Sequence, residues 1–273
     1  MRLFPLKSTL LALTLAYSFT FIGCSKNNNP STAVNDSDSV IAAGLKQGLL
    51  VYLNFNGSFA DSSGNGNAVT ALGGATLGYD EHGNANRAFV GSGTGQEVMV
   101  TNNGSIIFDT AFTISMDLMT NTNSSSVRQA FASMINYSNS DGVSFIFSTS
   151  VPGLSNLDFG VPDSTMTCNS SQTTDGSLTD TTSFIPQPGS WYNLVASFHK
   201  GTVQIYVNGT LVSTKSGGST KAVLCPGASL LIGGWWSADP ITINGTIDEF
   251  RLYNRVLNAD EITSLAKEFQ PAD

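Results

Sequence analysis

The sequence is poor in charged residues, and especially in basic ones. Only 12% of its 273 residues are charged, with 12 Lys or Arg against 20 Asp or Glu, and the formal net charge is −8. No run of Lys or Arg follows Lys7. Nucleic acids and anionic membrane surfaces attract basic patches, so this composition argues against either as a direct partner. An acidic surface is compatible with neutral sugars, with calcium, or with solubility alone.

Long apolar runs are also scarce. The segment from Leu10 to Ile22 follows Arg2 and Lys7, which is the pattern of a secretory signal peptide. It is short for a transmembrane span, which needs ~20 apolar residues. The run ends in FIGC at residues 21–24, which resembles a bacterial lipobox. The resemblance implies cleavage after residue 23 and lipidation of Cys24. An ordinary signal peptide with an incidental cysteine is the alternative.

Residues 24–47 are polar and lack periodicity, so we expect a flexible tether. Several acyl chains on Cys24 would hold the protein firmly on a membrane, whereas one chain binds only marginally. This predicts a cell-envelope protein anchored to a bacterial membrane, most simply the outer one. Its location would be periplasmic or surface-exposed, with the lipid as its only membrane contact.

Cysteine is nearly absent after the leader, where only Cys168 and Cys225 remain. Export places these thiols in an oxidising compartment, where two remaining cysteines usually pair. A disulfide across their separation of 57 positions would stabilise the fold by roughly 4 kcal/mol in the chain-entropy model.

Glycine is abundant, and polarity comes mostly from Asn, Ser and Thr, a mixture typical of many short strands joined by turns. The segment 191–212 alternates apolar and polar residues on both sides of Lys200-Gly201. Asn208-Gly209 then provides the tight-turn dipeptide of a β-hairpin. At the other end, Asn258 and Glu261 form the capping box of a short helix. The sequence therefore predicts an all-β domain with a C-terminal helix.

Two stretches carry a family resemblance. WYNLVA at 191–196 with GTVQIYVNG at 201–209, and NGTIDEFRLYNRVL at 244–257, resemble laminin-G-like domains of the concanavalin-A-like lectin/glucanase superfamily. The resemblance implies a jelly-roll sandwich of two antiparallel sheets, here over residues 48–270.

The run DSSGNGN at 61–67 resembles the loop after the first strand of such bacterial domains. The resemblance makes a calcium site possible, with oxygen ligands from Asp61, Asn65 and Asn67. One carboxylate is too little charge for a tight site. By analogy Asp248 is the candidate for a second, because the first and last strands of a jelly roll are often neighbours. The alternative is a network of Asx turns without metal.

Four residues are candidates for ligand binding. Trp235 and Trp236 end a predicted strand and could stack on pyranose rings, although adjacent residues in an extended chain point opposite ways. Tyr137 lies in a predicted loop. Asp117 replaces the aromatic residue that the family usually has in this strand. It either lies on an open sheet face, where it could accept sugar hydroxyls, or pairs with a residue such as Arg128. Packing in the core or at the rim is the alternative for each aromatic residue.

The carboxylates do not have the spacing of a retaining glycosidase, which needs two of them about 5–5.5 Å apart. Glu-x-Asp-x-Glu on one strand would provide such a pair, but the sequence has no such run. Asp248 and Glu249 are adjacent and would point to opposite faces of a regular strand. We therefore predict a non-catalytic carbohydrate-binding module. A protein-binding adhesion or structural module is the alternative, and a glycoside hydrolase is disfavoured.

Overall fold

The computed structural model describes residues 41–122, 128–138, 141–150, 156–162, 168, 178–237 and 241–269. The predicted signal peptide, Cys24 and the first part of the predicted tether lie outside the described residues. Within the described part, no helix is long and apolar enough to cross a membrane.

The described residues form fifteen strands and a C-terminal helix, preceded by a helical turn at residues 41–44. In chain order they are β1 (Leu49–Leu53), β2 (Ala68–Leu72), β3 (Thr76–Gly78), β4 (Ala88–Ser92), β5 (Glu97–Thr101), β6 (Ala111–Thr120), β7 (Ala130–Ile135), β8 (Phe145–Thr149), β9 (Leu157–Val161), β10 (Leu178–Thr181), β11 (Trp191–His199), β12 (Thr202–Val207), β13 (Thr210–Ser216), β14 (Ser229–Ile232), β15 (Asn244–Tyr253) and α1 (Ala259–Glu268).

The strands form two antiparallel sheets. The larger has eight strands in the order β13-β12-β11-β6-β15-β4-β3, with β1 paired to β15. The smaller has seven in the order β10-β9-β8-β7-β14-β5-β2. β15 pairs with β6 along one side, while on the other side its first half pairs with β4 and its last half with β1. The predicted all-β sandwich with a C-terminal helix is confirmed, and so is the pairing of first and last strands.

The core lies between the two sheets because alternate residues of each strand point inward. On β6 the residues that belong to the core are Phe112, Ile114, Met116 and Leu118, at every second position. The Phe112 ring lies 5.6 Å from that of Phe198 in the same sheet and 5.4 Å from that of Phe145 in the other. Such ring pairs add to the burial of apolar area and join the two layers.

The predicted hairpin is formed between β12 and β13. Asn208 and Gly209 both have positive φ, 48° and 78°, as a tight turn with the right twist requires. The predicted disulfide is also confirmed, with an S–S distance of 2.06 Å between Cys168 and Cys225.

Helix α1 packs on the outer face of the larger sheet. Its Ile262 and Leu265 contact Tyr253 of β15 and Val195 of β11. The predicted capping box closes its first turn, since the Asn258 side chain accepts from the Glu261 N–H and the Glu261 carboxylate accepts from the Asn258 N–H.

Leu45 belongs to the same cluster and is only 8% exposed. Arg255 donates to the backbone carbonyls of Gly44 and Gln47, at 2.7 Å each. The folded domain therefore includes residues 44–47, which the sequence analysis assigned to the tether.

Candidate functional site

A polar cavity opens on the outer face of the larger sheet where β1, β15 and β6 lie side by side. Cross-strand pairing sets Tyr52 opposite Arg251 and Asp117 opposite Asp248. The cavity has a volume of about 320 Å³. We call it the carboxyl pocket and define it by its lining residues, Tyr52, Asn56, Asp80, Glu81, His82, Asn84, Arg87, Asp117, Asp248, Glu249, Arg251 and Glu268.

A β-bulge turns Glu249 into the same cavity as Asp248. The register of β15 against β6 shifts between Asp248 and Arg251, and Glu249 has a φ of 49°. A positive φ is uncommon for a residue with a side chain, and bulges re-aim side chains next to binding sites. The prediction that Asp248 and Glu249 point to opposite faces is wrong, because that alternation holds only for a regular strand.

Arg251 neutralises Glu249 and fixes one wall of the pocket. Its Nη2 lies 2.6 Å from Glu249 Oε2 and 3.2 Å from Glu268 Oε2. The hydroxyl of Tyr52 donates to the same Glu249 oxygen at 2.6 Å, and the guanidinium of Arg251 lies 4.5 Å from the centre of the Tyr52 ring. Charge-assisted hydrogen bonds and stacking thus hold these side chains in one arrangement.

Asp117 and Asp248 are almost fully buried, at 3% and 4% exposure. Asn193 donates to Asp117 Oδ1 at 2.7 Å, and the Glu249 N–H donates to Asp248 Oδ1 at 2.7 Å. Burial raises the pKa of Asp117 well above its ordinary value despite the bond from Asn193. Burial, together with the charges of Glu249, Glu81 and Asp117, raises the pKa of Asp248 to about 9. Asp248 therefore holds a proton at neutral pH.

Arg128 is not the partner of Asp117. Its Nη2 lies 3.0 Å from Asp158 Oδ2 on the smaller sheet. The prediction of an Asp117–Arg128 pair is therefore wrong, since Arg128 precedes β7 and pairs with the smaller sheet, whereas Asp117 lies on the larger one. Asp117 lies on the outer side of its sheet and lines the carboxyl pocket, but at 3% exposure it is not on the open face that was the other alternative.

The turn between β3 and β4 closes the pocket. Asp80 Oδ1 accepts from the N–H groups of His82 and Asn84, at 3.0 and 2.7 Å, and its Oδ2 accepts from the Asn84 amide at 2.9 Å. This Asx turn holds Glu81 over the cavity. The Glu81 side chain is 5% exposed, and its Oε1 lies 3.3 Å from His82 Nε2. Its Oε2 has no hydrogen-bond partner in the described part of the chain. Burial raises the pKa of Glu81.

The loop at Asp61 forms a closed hydrogen-bond network. Asp61 Oδ1 accepts from the N–H groups of Tyr52 and Ser63, and its Oδ2 from the Ser63 hydroxyl and from the backbone and amide N–H of Asn67. Although burial opposes it, these bonds keep the pKa of Asp61 below its ordinary value. Asn65 and Asn67 turn their amide N–H groups to backbone carbonyls. The network satisfies Asp61 without a metal.

Asp248 does not join this loop. It lies in the carboxyl pocket with Asp117, and no contact between described residues links it to Asp61. The strand pairing was predicted correctly, but the four-residue set of Asp61, Asn65, Asn67 and Asp248 is not brought together. Among the described residues, no group of three or more His, Cys, Asp or Glu could hold a metal ion. Calcium binding stays a prediction.

The predicted aromatic residues lie on the opposite outer face, that of the smaller sheet. Trp235, Trp236 and Tyr137 pack against one apolar cluster that includes Ile146 and Leu231, and we call these three residues the aromatic cluster. Trp235 is only 8% exposed and offers little surface to a ligand. Trp236 and Tyr137 are half-buried, so part of each side chain is accessible to a ligand. Their role in binding stays a prediction.

Glu97 of β5 lies next to the aromatic cluster and was not among the predicted residues. It is 3% exposed, and its Oε2 has no partner within the described segments. A Cβ at Gly234 would collide with this side chain, so the glycine before the tryptophans makes room for it. Burial raises the pKa of Glu97 to about 7.

Sequence reasoning also missed Tyr52, Glu81, Asn193 and Arg251. The one available signal was Asp117, a carboxyl within an apolar alternation. The others become neighbours of Asp117 only through strand pairing and a turn.

Several solved structures share this fold. The binding domain of Paraclostridial Mosquitocidal Protein 1 is 17% identical with a TM-score of 0.62, and the match covers 82% of this chain and 53% of that one. Botulinum neurotoxin type C, whose cell entry depends on interaction with two ganglioside molecules, is 18% identical with a TM-score of 0.61, covering 84% and 53%. The chain thus spans about half the length of these two proteins.

Domain 4 of AbnA, a GH43 extracellular arabinanase from Geobacillus stearothermophilus, was solved in complex with arabinotriose. It is 19% identical with a TM-score of 0.57, and the match covers 80% of this chain and 98% of that one. At such identities these likenesses establish the fold alone. No curated protein matches the sequence significantly.

The family pattern Laminin_G_3, of the concanavalin A-like lectin/glucanases superfamily, matches residues 91–263, which is more than half of the chain. The matched region runs from the end of β4 into helix α1 and contains both stretches that resembled the family. The chain therefore belongs to the Laminin_G_3 family of the concanavalin A-like lectin/glucanases superfamily.

Proposed function

We propose that this protein is the carbohydrate-binding module of a cell-envelope lipoprotein and that it holds a glycan in the carboxyl pocket without altering it. The observation that carries the proposal is the pocket itself. Its volume of about 320 Å³ is at the low end of the range for small-molecule sites. Its lining offers carboxyl and amide acceptors together with donors such as Arg87 and Asn84. Sugar hydroxyls both donate and accept, and so need both kinds of group.

The similar structures support this proposal at the level of the fold. One is the binding domain of Paraclostridial Mosquitocidal Protein 1, and another was solved in complex with arabinotriose. The match to that domain covers nearly its whole length, so the shared part is the part that was crystallised with the sugar.

The state of the carboxyls supports binding rather than hydrolysis. A retaining glycosidase needs one ionised carboxylate as nucleophile beside a protonated one. Asp248 holds a proton at neutral pH, and Glu249 is locked by Arg251 and Tyr52. Neither is a free nucleophile.

We also propose that Cys24 carries the lipid that anchors the module to the outer membrane. The five hydrogen bonds to Asp61 favour a loop without calcium.

A glycan-array screen of the chain from Ser25 onward, with calcium and with a chelator, tests the function. We expect Arg87→Ala to weaken binding about tenfold, because it removes a charged donor of the pocket. Lys221→Ala is the matched control, since Lys221 is an exposed cation that pairs with Asp109 away from the pocket. Failure to bind any glycan, together with capture of a defined protein, would favour the adhesion alternative.

A further inference from the structure

Three carboxyls of the pocket have no cationic partner of their own. Glu249 is neutralised by Arg251, and Asp80 is used by the turn that it caps. Glu81, Asp117 and Asp248 remain, and they are close enough to raise one another's proton affinity electrostatically. Like charges held together in a buried site are unfavourable unless a proton or another cation compensates them.

The cations of the pocket do not compensate these three groups. Six carboxyls line the cavity against two guanidiniums. Arg251 is paired with Glu249 and Glu268, and Arg87 donates to the amide oxygen of Asn56 at 2.8 Å. His82 lies beside one oxygen of Glu81 only, at 3.3 Å. The pocket therefore has more carboxyl groups than cations to pair with them, and Asp248 is compensated by a proton instead.

Two buried acceptors lack donors, one in the pocket lining and one on the side chain that holds Asp117. Glu81 Oε2 and Asn193 Oδ1 are both enclosed and have no partner in the described part of the chain. Asn193 is 2% exposed and holds Asp117 through its amide nitrogen. Leaving a buried acceptor unpaired is costly, so each such group calls for an explanation. Glu81 Oε2 is the unmet atom of the pocket lining and it is an acceptor, so a ligand group that donates hydrogen bonds and carries positive charge fits there.

We propose that the carboxyl pocket selects sugars that carry a primary ammonium group, with the nitrogen held between Glu81, Asp117 and Asp248. This inference rests on the proposed glycan-binding function. An ammonium has three N–H donors and no acceptor, which matches three carboxyls. A metal ion fits less well, because the cavity is far larger than an ion and no described group of three acidic side chains has metal-binding geometry. An N-acetylated sugar lacks the charge and adds bulk at the nitrogen.

Calorimetric titration with three sugars of the same ring tests the inference: glucosamine, N-acetylglucosamine and glucose. The full chain is used, purified in a detergent without a sugar headgroup. We expect glucosamine to bind about tenfold more tightly than the other two sugars, because only its ammonium group can form charge-assisted hydrogen bonds with the carboxyls. Equal affinities for the three would overturn the amino selectivity while leaving glycan binding intact. If none binds and the glycan array is also blank, both proposals fail.

Charge-matched variants separate the pocket from the general acidity of the chain. Asp248→Asn is expected to bring the ratio of glucosamine to glucose affinity to about one, since an amide cannot ionise to pair with the ammonium but keeps an acceptor for the Glu249 N–H. Asp109→Asn makes the same carboxyl-to-amide change at an exposed position that pairs with Lys221, and it should keep the tenfold ratio. Should Asp248→Asn fail to fold, Glu81→Gln on the turn serves the same purpose. The proposal is contradicted if the folded pocket variants keep the tenfold ratio of glucosamine to glucose affinity. It is also contradicted if Asp109→Asn lowers that ratio.

Discussion

The two outer faces of the sandwich bury carboxyl groups in different ways. On the larger sheet, strands distant in sequence bring several carboxyls into one cavity, where each raises the proton affinity of the next. On the smaller sheet, Glu97 is a single carboxyl beside the aromatic cluster, and burial alone raises its pKa. The carboxyl pocket fits a ligand that is cationic or rich in hydrogen-bond donors. For the single carboxyl of Glu97, binding one proton removes the buried charge.

The two faces also differ in how much of their surface is accessible to a ligand. Trp235 is largely used to cover the smaller sheet, while the pocket on the larger sheet keeps an open volume with unmet acceptors. Aromatic residues are the usual sequence signal for a sugar site, whereas the site that we propose is built from polar residues.

The largest effect is expected at the ion pair that forms the pocket wall. Arg251→Met should reduce the free energy of unfolding by about 3–5 kcal/mol, because it leaves the Glu249 carboxylate partly buried without its cation. Lys221→Met is the control, since its pair with Asp109 is exposed and should change stability by no more than about 1 kcal/mol. Urea denaturation measures both. Equal losses would mean that the pocket wall is as solvated as the surface pair.

How much of this could be read from the sequence depends on whether a feature is local. The β12–β13 turn and the α1 capping box follow from short patterns, and both were predicted. Strands β2, β3 and β10 were not predicted. Each lies at an edge of its sheet, where fewer neighbours demand apolar alternation.

The carboxyl pocket could not be predicted in the same way, because it exists only through tertiary pairing. Asp117 was recognised as out of place in its strand, and Asp248 through the family resemblance. Nothing local indicates that they lie opposite each other. The bulge at Glu249 reverses the direction that simple alternation assigns to its side chain, and no glycine or proline marks it.

A second prediction concerns pH on the pocket face. The folded chain keeps a proton on Asp248 up to about pH 9, whereas an unfolded Asp loses it near pH ~4. Stability therefore falls as pH rises through this window, and below it the group contributes no difference. Asp248→Asn should raise the free energy of unfolding at pH 8 on the order of 3 kcal/mol, and much less at pH 4. Thermal melts at the two pH values measure this. An equal change at both would show that Asp248 is not protonated in the fold.

Glu97→Gln is the matching change on the aromatic face. Its window is narrower, because the pKa of Glu97 is raised only to about 7. We expect Glu97→Gln to raise the free energy of unfolding at pH 8 on the order of 2 kcal/mol, and to raise it little further at higher pH. The increase from Asp248→Asn should instead continue to grow up to about pH 9. Melts at pH 6, 7, 8 and 9 distinguish the two profiles. Identical profiles would mean that the two faces do not differ as described.

The smallest effect is expected from a substitution on the aromatic face. The opposite result there would reverse the roles that we assign to the two faces. Trp236→Ala removes half-buried aromatic surface from the smaller sheet and leaves the carboxyl pocket unchanged. If the pocket holds the glycan, its affinity should change by less than about twofold, within the range of a remote surface substitution. Titration with the best glycan from the array measures it beside Arg87→Ala. A tenfold loss in Trp236→Ala with no loss in Arg87→Ala would place the sugar on the aromatic cluster, because stacking on the exposed indole would then carry the binding.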